Sequence, residues 1–371
     1  MKGEKQDLDD YRNRLTSFEI LFTQYLDKDG KLVHSLPDVA KDPGKLVALY
    51  RAMVLTRTFD SKAIALQRTG NLGTFASSLG QEAVFVGIGA VMEQQDVLVP
   101  YYRDYGAQLL RGVSMTELFL YWGGDERGMD YAVPREDFPI CVPIASQIPQ
   151  AVGVAFAMKY RGEPRVAVTV FGDGATSKGD FYEAANAAGV WDLPVVFIVN
   201  NNQWAISVPR KEQTPCQTLA QKAIAAGFQG EQIDGNDLVA VLDRLTVAME
   251  KARSGGGPTL IEAVTYRLSD HTTVDDASRY RSDEELKTNW DYEPIKRLRE
   301  YLIAEGRWDR QKDEQLQRSC EQEVEEAVQA YLDTPAQAPE SMFEYLYKEL
   351  PSALESQRIE LANKVKESCP S

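Results

Sequence analysis

Gly172-Asp173-Gly174 and Asn201-Asn202 are two short polar groups, and each ends an apolar run, residues 166–171 for the first and 195–199 for the second. Short apolar runs bounded by turn residues read as buried strands of a parallel sheet. The Asp173 carboxylate and the Asn202 amide oxygen would then leave the carboxyl ends of two neighbouring strands and enter one crevice. Magnesium takes about six oxygen ligands, keeps some waters and bridges to substrate phosphates, so one Asp, one Asn and a diphosphate make a suitable set. Either half alone is an ordinary turn; the spacing of the two at strand ends carries the reading. Gly172 and Gly174 let backbone approach a diphosphate closely. The Gly174 and Ala175 amides face the start of the following helix, a favourable place for an anion.

The elements that must hold this clamp follow from hydrophobic periodicity. Residues 45–70 carry apolar residues at helical spacing, including Leu46, Leu49, Met53, Phe59, Ile64 and Leu66. Beyond them, strand-like runs at 97–99, 166–171, 195–199 and 259–266 alternate with Ala-rich helical stretches at 148–160 and 180–189. Alternation of this kind predicts an α/β fold with a doubly wound, mostly parallel sheet flanked by helices. Ser177 is expected to cap the helix after the clamp, whose apolar stripe is Phe181, Ala184, Ala185 and Ala188. Gly255-Gly-Gly-Pro258 lacks the lysine spacing of a phosphate loop and receives no catalytic role. Residues 1–44, with turns at 27–30 and 42–44, read as an N-terminal arm, 45–282 as the α/β domain, and 283–371 as a C-terminal helical extension. Within the last, residues 334–339 are a short linker before a final helical hairpin.

The Gly-Asp-Gly and Asn-Asn pair resembles the signature of thiamine-diphosphate enzymes, and further motifs resemble one branch of them. These are Gly80-Gln-Glu-Ala83, Leu98-Val-Pro-Tyr-Tyr-Arg-Asp104, Gln147-Ile-Pro-Gln-Ala-Val-Gly153, Asn202-Gln-Trp-Ala-Ile-Ser207 and Arg267-Leu-Ser-Asp-His-Thr-Thr-Val-Asp-Asp276. Their order from about residue 45 to 350 is similar to that in the alpha subunit of the first, decarboxylating component of 2-oxo acid dehydrogenase complexes. The resemblance implies a thiamine-diphosphate-binding fold and a cofactor set of thiamine diphosphate with Mg2+. It implies metal ligation by Asp173, Asn202 and the backbone carbonyl of Trp204. Tyr102 and Arg103 match a Tyr-Arg pair at the diphosphate, where an Arg fork offers bidentate donors. Ile144 matches the bulky apolar residue beneath the cofactor. His271, one of two histidines, matches an active-site histidine, with Arg267 beside it. With a pKa near neutrality, His271 could donate to a developing oxyanion or to a lipoyl sulfur.

The same resemblance implies partners. The glutamate that activates the cofactor's aminopyrimidine lies on a beta subunit in this family, and one sheet of this size leaves no second domain to supply it. An assembly of two alpha and two beta chains is expected, together with the lipoyl and subunit-binding domains of an acyltransferase. Ala76 stands where mitochondrial pyruvate dehydrogenases have a substrate-side histidine, and Asp270 where some relatives have histidine or glycine, which weakens inference of the substrate from those relatives. Stretches 203–209 and 217–223 look closest to the bacterial pyruvate type, while 144–150 also looks like the branched-chain type. The expectation is pyruvate, with branched-chain 2-oxo acids, acetoin or a catalytically silent structural subunit as alternatives.

Composition bounds the rest. With 371 residues and 43% hydrophobic content the chain can bury a large core. A formal charge of −15 argues against nucleic acid or an anionic membrane as partner, because both require basic surface. Cys141, Cys216, Cys320 and Cys369 are far apart without Cys-x-x-Cys spacing, so neither a zinc site nor a disulfide framework is indicated. The start of the chain, residues 1–10, is too polar for a signal peptide and too acidic for a transit peptide, which leaves a bacterial cytoplasm as the expected location.

Overall fold

The computed structural model describes residues 15–368; the polar residues 1–10 and Cys369 lie outside the described residues. Among the described residues eight strands run in chain order: β1 (Phe22–Thr23), β2 (Val97–Val99), β3 (Ala167–Gly172), β4 (Val195–Asn201), β5 (Trp204–Ala205), β6 (Val208–Pro209), β7 (Gln229–Asp234) and β8 (Thr259–Val264). Six of them form one sheet in the order β1-β7-β8-β4-β3-β2, with every neighbouring pair parallel. β5 and β6 form a separate antiparallel hairpin.

The central strands are apolar at most positions because both faces are covered. Val97, Val99, Ala167, Phe171, Val195, Phe197 and Val199 pack with the helices Gln147–Arg161 and Gly179–Val190. The alternating residues Leu98, Val168, Val170, Val196 and Ile198 pack on the other side with Glu82–Val91 and Leu238–Arg253. This two-residue alternation is what a pleated strand between two helical layers requires. The helix Gly179–Val190 links β3 to β4 on one face, whereas Leu238–Arg253 links β7 to β8 on the other and runs across the sheet in the opposite direction. The direction of winding thus reverses between β4 and β8, and a crevice opens outside the carboxyl ends of the strands there.

An outer layer braces this sandwich. The helix Pro43–Arg68 starts at Asp42, whose carboxylate accepts from the Gly44 amide at 2.8 Å, and it packs with Pro294–Ala304 and Arg310–Leu332. Phe59, Phe75, Tyr105 and Phe119 form an aromatic cluster beneath the loop that leads to the crevice. Residues 15–44 are tied in by β1 and by Asp237, which accepts from the Tyr25 amide at 2.6 Å and the Leu26 amide at 2.8 Å. Among the described residues no helix is long and apolar enough to cross a membrane.

Two local expectations are corrected. Ser177 does not cap the helix after the clamp: residues Asp173–Ser177 form a 3₁₀ turn, and the helix begins at Gly179 behind Lys178 with no side-chain cap. Thr176 instead closes that turn by donating to the Asp173 carbonyl at 2.8 Å. The C-terminus is a 3₁₀ turn at Pro339–Phe343 and one helix, Ser352–Ser368, in place of a helical hairpin. Pro339 and Pro351 bracket a stretch shorter than the ~12–15 residues an unsupported helix needs.

Candidate active site

The crevice is a cavity of about 590 Å³ lined by Tyr102, Arg103, Ile144, Gly172, Asp173, Gly174, Ala175, Asn202, Trp204 and His271. Every residue expected at the cofactor reaches it except Arg267, which lies fully buried behind His271 and touches that ring from the protein side. The parallel pairing of β3 with β4 sets Gly172 opposite Asn200, which brings Asp173 and Asn202 to the same end of the sheet. Asp173 is 1% exposed and accepts from Gln213 at 2.6 Å; burial lifts its carboxyl to about 6. The Asn202 Oδ1 accepts from the Trp204 amide at 3.2 Å, and its Nδ2 donates to Gln81 Oε1 at 3.1 Å. Among the described residues no group of three or more His, Cys, Asp or Glu side chains stands ready for a metal. One carboxylate, one amide and backbone oxygens suit a magnesium ion completed by phosphate oxygens and water better than an all-protein cage.

The two glycines of the clamp have different surroundings. A Cβ on Gly172 would meet nothing within 4 Å, whereas one on Gly174 would lie 2.7 Å from Ala205 Cβ in the β5–β6 hairpin. Gly174 and Ala175 sit in the 3₁₀ turn, with the longer helix starting beyond it. The strained backbone also gathers here. Ala145, Gln203 and Ile206 have φ values of 71°, 72° and 55°, and Ala145 and Ile206 line the cavity while Gln203 lies between the lining residues Asn202 and Trp204. A non-glycine residue in this region costs about 1 kcal/mol or more and persists only where its surroundings hold it.

Arg103 is 1% exposed, and its guanidinium donates to the Ser77 carbonyl, to the His271 carbonyl at 2.7 Å and to His271 Nδ1 at 3.1 Å. Because a guanidinium can only donate, Nδ1 must accept, and the ring proton belongs on Nε2. Burial, then Arg103, then Arg267 push the His271 pKa down to about 4. His271 is therefore a neutral imidazole at physiological pH, not the near-neutral titrating group expected from sequence. Arg267 donates to the Ile206 carbonyl at 2.9 Å and to Tyr280 OH at 2.7 Å; its Nε has no partner, and burial and Arg103 lower it to about 10. Among the described residues neither Arg103 nor Arg267 forms an ion pair with a carboxylate. Asp275 and Asp104 act on these guanidiniums without pairing with them directly, so both keep donor capacity and positive charge toward the cavity, which an anion such as a diphosphate would neutralise.

Comparison with known proteins decides the family. Residues 50–340 match the dehydrogenase E1 component family. The chain belongs to that family. It is 38% identical to the pyruvate dehydrogenase E1 component subunit alpha of Staphylococcus epidermidis, over 92% of each chain, and equally so to that of Staphylococcus aureus. It is 42% identical to the 3-methyl-2-oxobutanoate dehydrogenase subunit alpha of Mycobacterium tuberculosis, over 84% of this chain and 85% of that one. As an E1 component it is an enzyme subunit of the thiamine-diphosphate-dependent 2-oxo acid dehydrogenases. The residues present fit that cofactor. Buried arginines with no directly paired carboxylate, the single carboxylate paired with an amide, and the open space beside Gly172 match a diphosphate, its metal and close backbone approach.

Several E1-component residues at this site were not singled out from sequence. Tyr101, Cys141, Val142, Ala205 and Ile206 line the cavity, and Gln81 and Asn200 lie directly behind it. Tyr101 lies inside the motif at 98–104, Ala205 and Ile206 inside that at 202–207 and Gln81 inside that at 80–83, and membership of those motifs is the signal that could have found them. Ile144, which composition alone would place in the core, is 45% exposed on the cavity wall.

Proposed function

We propose that this E1-component chain is the alpha subunit of pyruvate dehydrogenase (acetyl-transferring), which carries out oxidative decarboxylation of pyruvate and reductive acetylation of a lipoyl group. The convergence of Asp173, Asn202, Arg103 and His271 on one cavity at the strand ends carries this reading. Asp173, Asn202 and the Trp204 carbonyl would hold Mg2+, and Tyr102 with Arg103 would hold the diphosphate beside Gly172, Gly174 and Ala175. Ile144 would support the cofactor from below. When bound, thiamine diphosphate supplies the electron sink for loss of carbon dioxide. His271, neutral and with its proton on Nε2, would act as a hydrogen-bond donor to a developing oxyanion or to the lipoyl sulfur. Arg267 would hold the ring from behind and set its tautomer jointly with Arg103. In this reading residues 45–282 bind the cofactor, while 1–44 and 283–371 are an arm and a helical extension around it. The partners would be a beta subunit, in an assembly of two alpha and two beta chains, and the lipoyl and subunit-binding domains of an acyltransferase, in a bacterial cytoplasm.

A branched-chain substrate is the second reading, favoured by the 42% identity to the 3-methyl-2-oxobutanoate dehydrogenase subunit. The two separate in one assay: decarboxylation-coupled dye reduction by the chain co-expressed with its beta subunit, at saturating thiamine diphosphate and Mg2+. Higher kcat/KM for pyruvate is expected. A preference for 3-methyl-2-oxobutanoate would move the assignment to the branched-chain reading, and activity with neither would favour acetoin cleavage or a silent subunit.

A further inference from the structure

Gln81 is wholly buried at the start of the helix Glu82–Val91 and does not line the cavity. Its Oε1 accepts two amide donors, Asn200 Nδ2 at 2.7 Å and Asn202 Nδ2 at 3.1 Å, while its Nε2 has no partner. The orientations of these amides follow from groups that cannot reverse. The Trp204 backbone N–H can only donate, so the atom of Asn202 that faces it, 3.2 Å away, must be Oδ1. Nδ2 of Asn202 then faces Gln81, which must answer with oxygen. Asn200 completes the set, donating also to Tyr101 OH at 2.9 Å and accepting from Thr265 Oγ1 at 2.7 Å.

We propose that Gln81 is a positioning residue for the metal site, holding the Asn202 side chain so that its oxygen, and not its NH2 group, is available to the cation. The inference rests on the proposed reading of Asp173 and Asn202 as metal ligands. An amide is a metal ligand in only one of its two flipped orientations, since the NH2 group repels a cation. The Trp204 amide selects that orientation from one side and Gln81 from the other. Gln81 keeps a buried NH2 group without an acceptor, a cost that a simple space-filling role would not require, since an apolar side chain of similar size would avoid it. Its oxygen, by contrast, is used twice. Groups behind a ligand fix the geometry of metal sites in general, and losing one weakens binding by about 10- to 100-fold.

The test uses the chain co-expressed with its beta subunit and reads the thermal midpoint as Mg2+ is titrated at fixed thiamine diphosphate. Gln81→Leu is expected to raise the half-saturating Mg2+ concentration about tenfold, and Gln81→Glu, which keeps an acceptor toward both asparagines, to change it less than about twofold. Asn202→Asp supplies the decisive background, because a carboxylate presents oxygen on both arms and needs no orienting. There Gln81→Leu is expected to shift the half-saturating concentration by less than about twofold. An undiminished Gln81→Leu effect in that background, or no effect in the native one, overturns the proposal; Gln81→Met carries the same comparison if Gln81→Leu does not fold. Failure of the unaltered assembly to respond to Mg2+, or an unchanged response in Asn202→Ala, would overturn the reading of the metal ligands themselves and is thereby told apart.

Discussion

His271 concentrates the electrostatics of the site in one ring. Burial presses on it first and two arginines add to that effect, so the folded chain protonates it only near pH 4 against 6.5 in an exposed histidine. Between those values the unfolded chain holds the proton and the folded chain does not. His271 therefore lowers stability as the pH falls from about 6.5 to about 4, and has no effect on the slope above that window. Asp60, Asp173 and Asp237, each lifted to about 6 chiefly by burial, act with the opposite sign. The folded chain takes up their protons first, which favours folding as the pH falls from about 6 toward 3.8. Urea unfolding at pH 7.5 and pH 5 separates the terms: His271→Asn is expected to be more stable relative to the parent at pH 5 than at pH 7.5, and an unchanged difference would refute the depressed pKa. The cause can be tested directly, since the chain has only two histidines and His34→Gln leaves a single imidazole signal for an NMR titration. Its midpoint should lie near 4, rise in Arg103→Met as one neighbouring charge is removed, and rise when inorganic pyrophosphate is added. A midpoint that ignores both changes would show that the arginines do not set it.

The strands and turns differ in how much of them could be read in advance. β2, β3, β4 and β8 were legible because a strand covered on both faces is written as a mainly apolar run. β7 was not: Gln229–Asp234 carries Gly230, Glu231 and Gln232 in a strand that is largely buried, and only its place between β1 and β8 makes it a strand. β1 has two residues and no periodicity to detect. The clamp was legible as a motif, but the division of labour between its glycines depends on the β5–β6 hairpin, whose position no local pattern announces. That division leads to a paired prediction. Gly174→Ala drives a methyl group against Ala205 and parts the turn from the hairpin, so the thermal midpoint of the chain without cofactor should fall, with a cost of about 1–3 kcal/mol for overpacking. Gly172→Ala places its methyl group in open space, so that midpoint should stay within about 1 °C while the affinity for thiamine diphosphate drops. Equal losses of stability in both variants would refute the distinction. Gln81 and Asn200 were hidden for a related reason: a buried amide network joins the ends of distant strands, and sequence spacing is silent on such contacts.

At the scale of the whole molecule, the cavity has one protein wall. The described residues build one six-stranded sheet with its helices and a small hairpin, and the cavity opens beyond the carboxyl ends of the sheet's strands with no second large sheet among the described residues across it. Phe156, Tyr160, Tyr182 and Val190 are exposed on the two helices on one face of the sheet, with Trp191 exposed just beyond the second. Exposed apolar patches of this kind mark surfaces that meet another protein. If the second wall comes from a beta subunit, cofactor binding and assembly must be linked, because a ligand that contacts both chains stabilises only the assembled state. A ligand at a hundredfold excess over its Kd stabilises the state that binds it by about 2.7 kcal/mol. Thiamine diphosphate and Mg2+ together should therefore raise the thermal midpoint of the co-expressed assembly, with neither sufficient alone. The isolated chain should respond far less, since it offers the diphosphate clamp but no surface for the rest of the cofactor. By the same linkage, diluting the assembly should weaken its apparent affinity for the cofactor, and saturating cofactor should lower the concentration at which sedimentation shows the chains to part. An isolated chain that shows the full shift, with an affinity independent of dilution, would mean that the site is complete within one chain and that its single wall suffices.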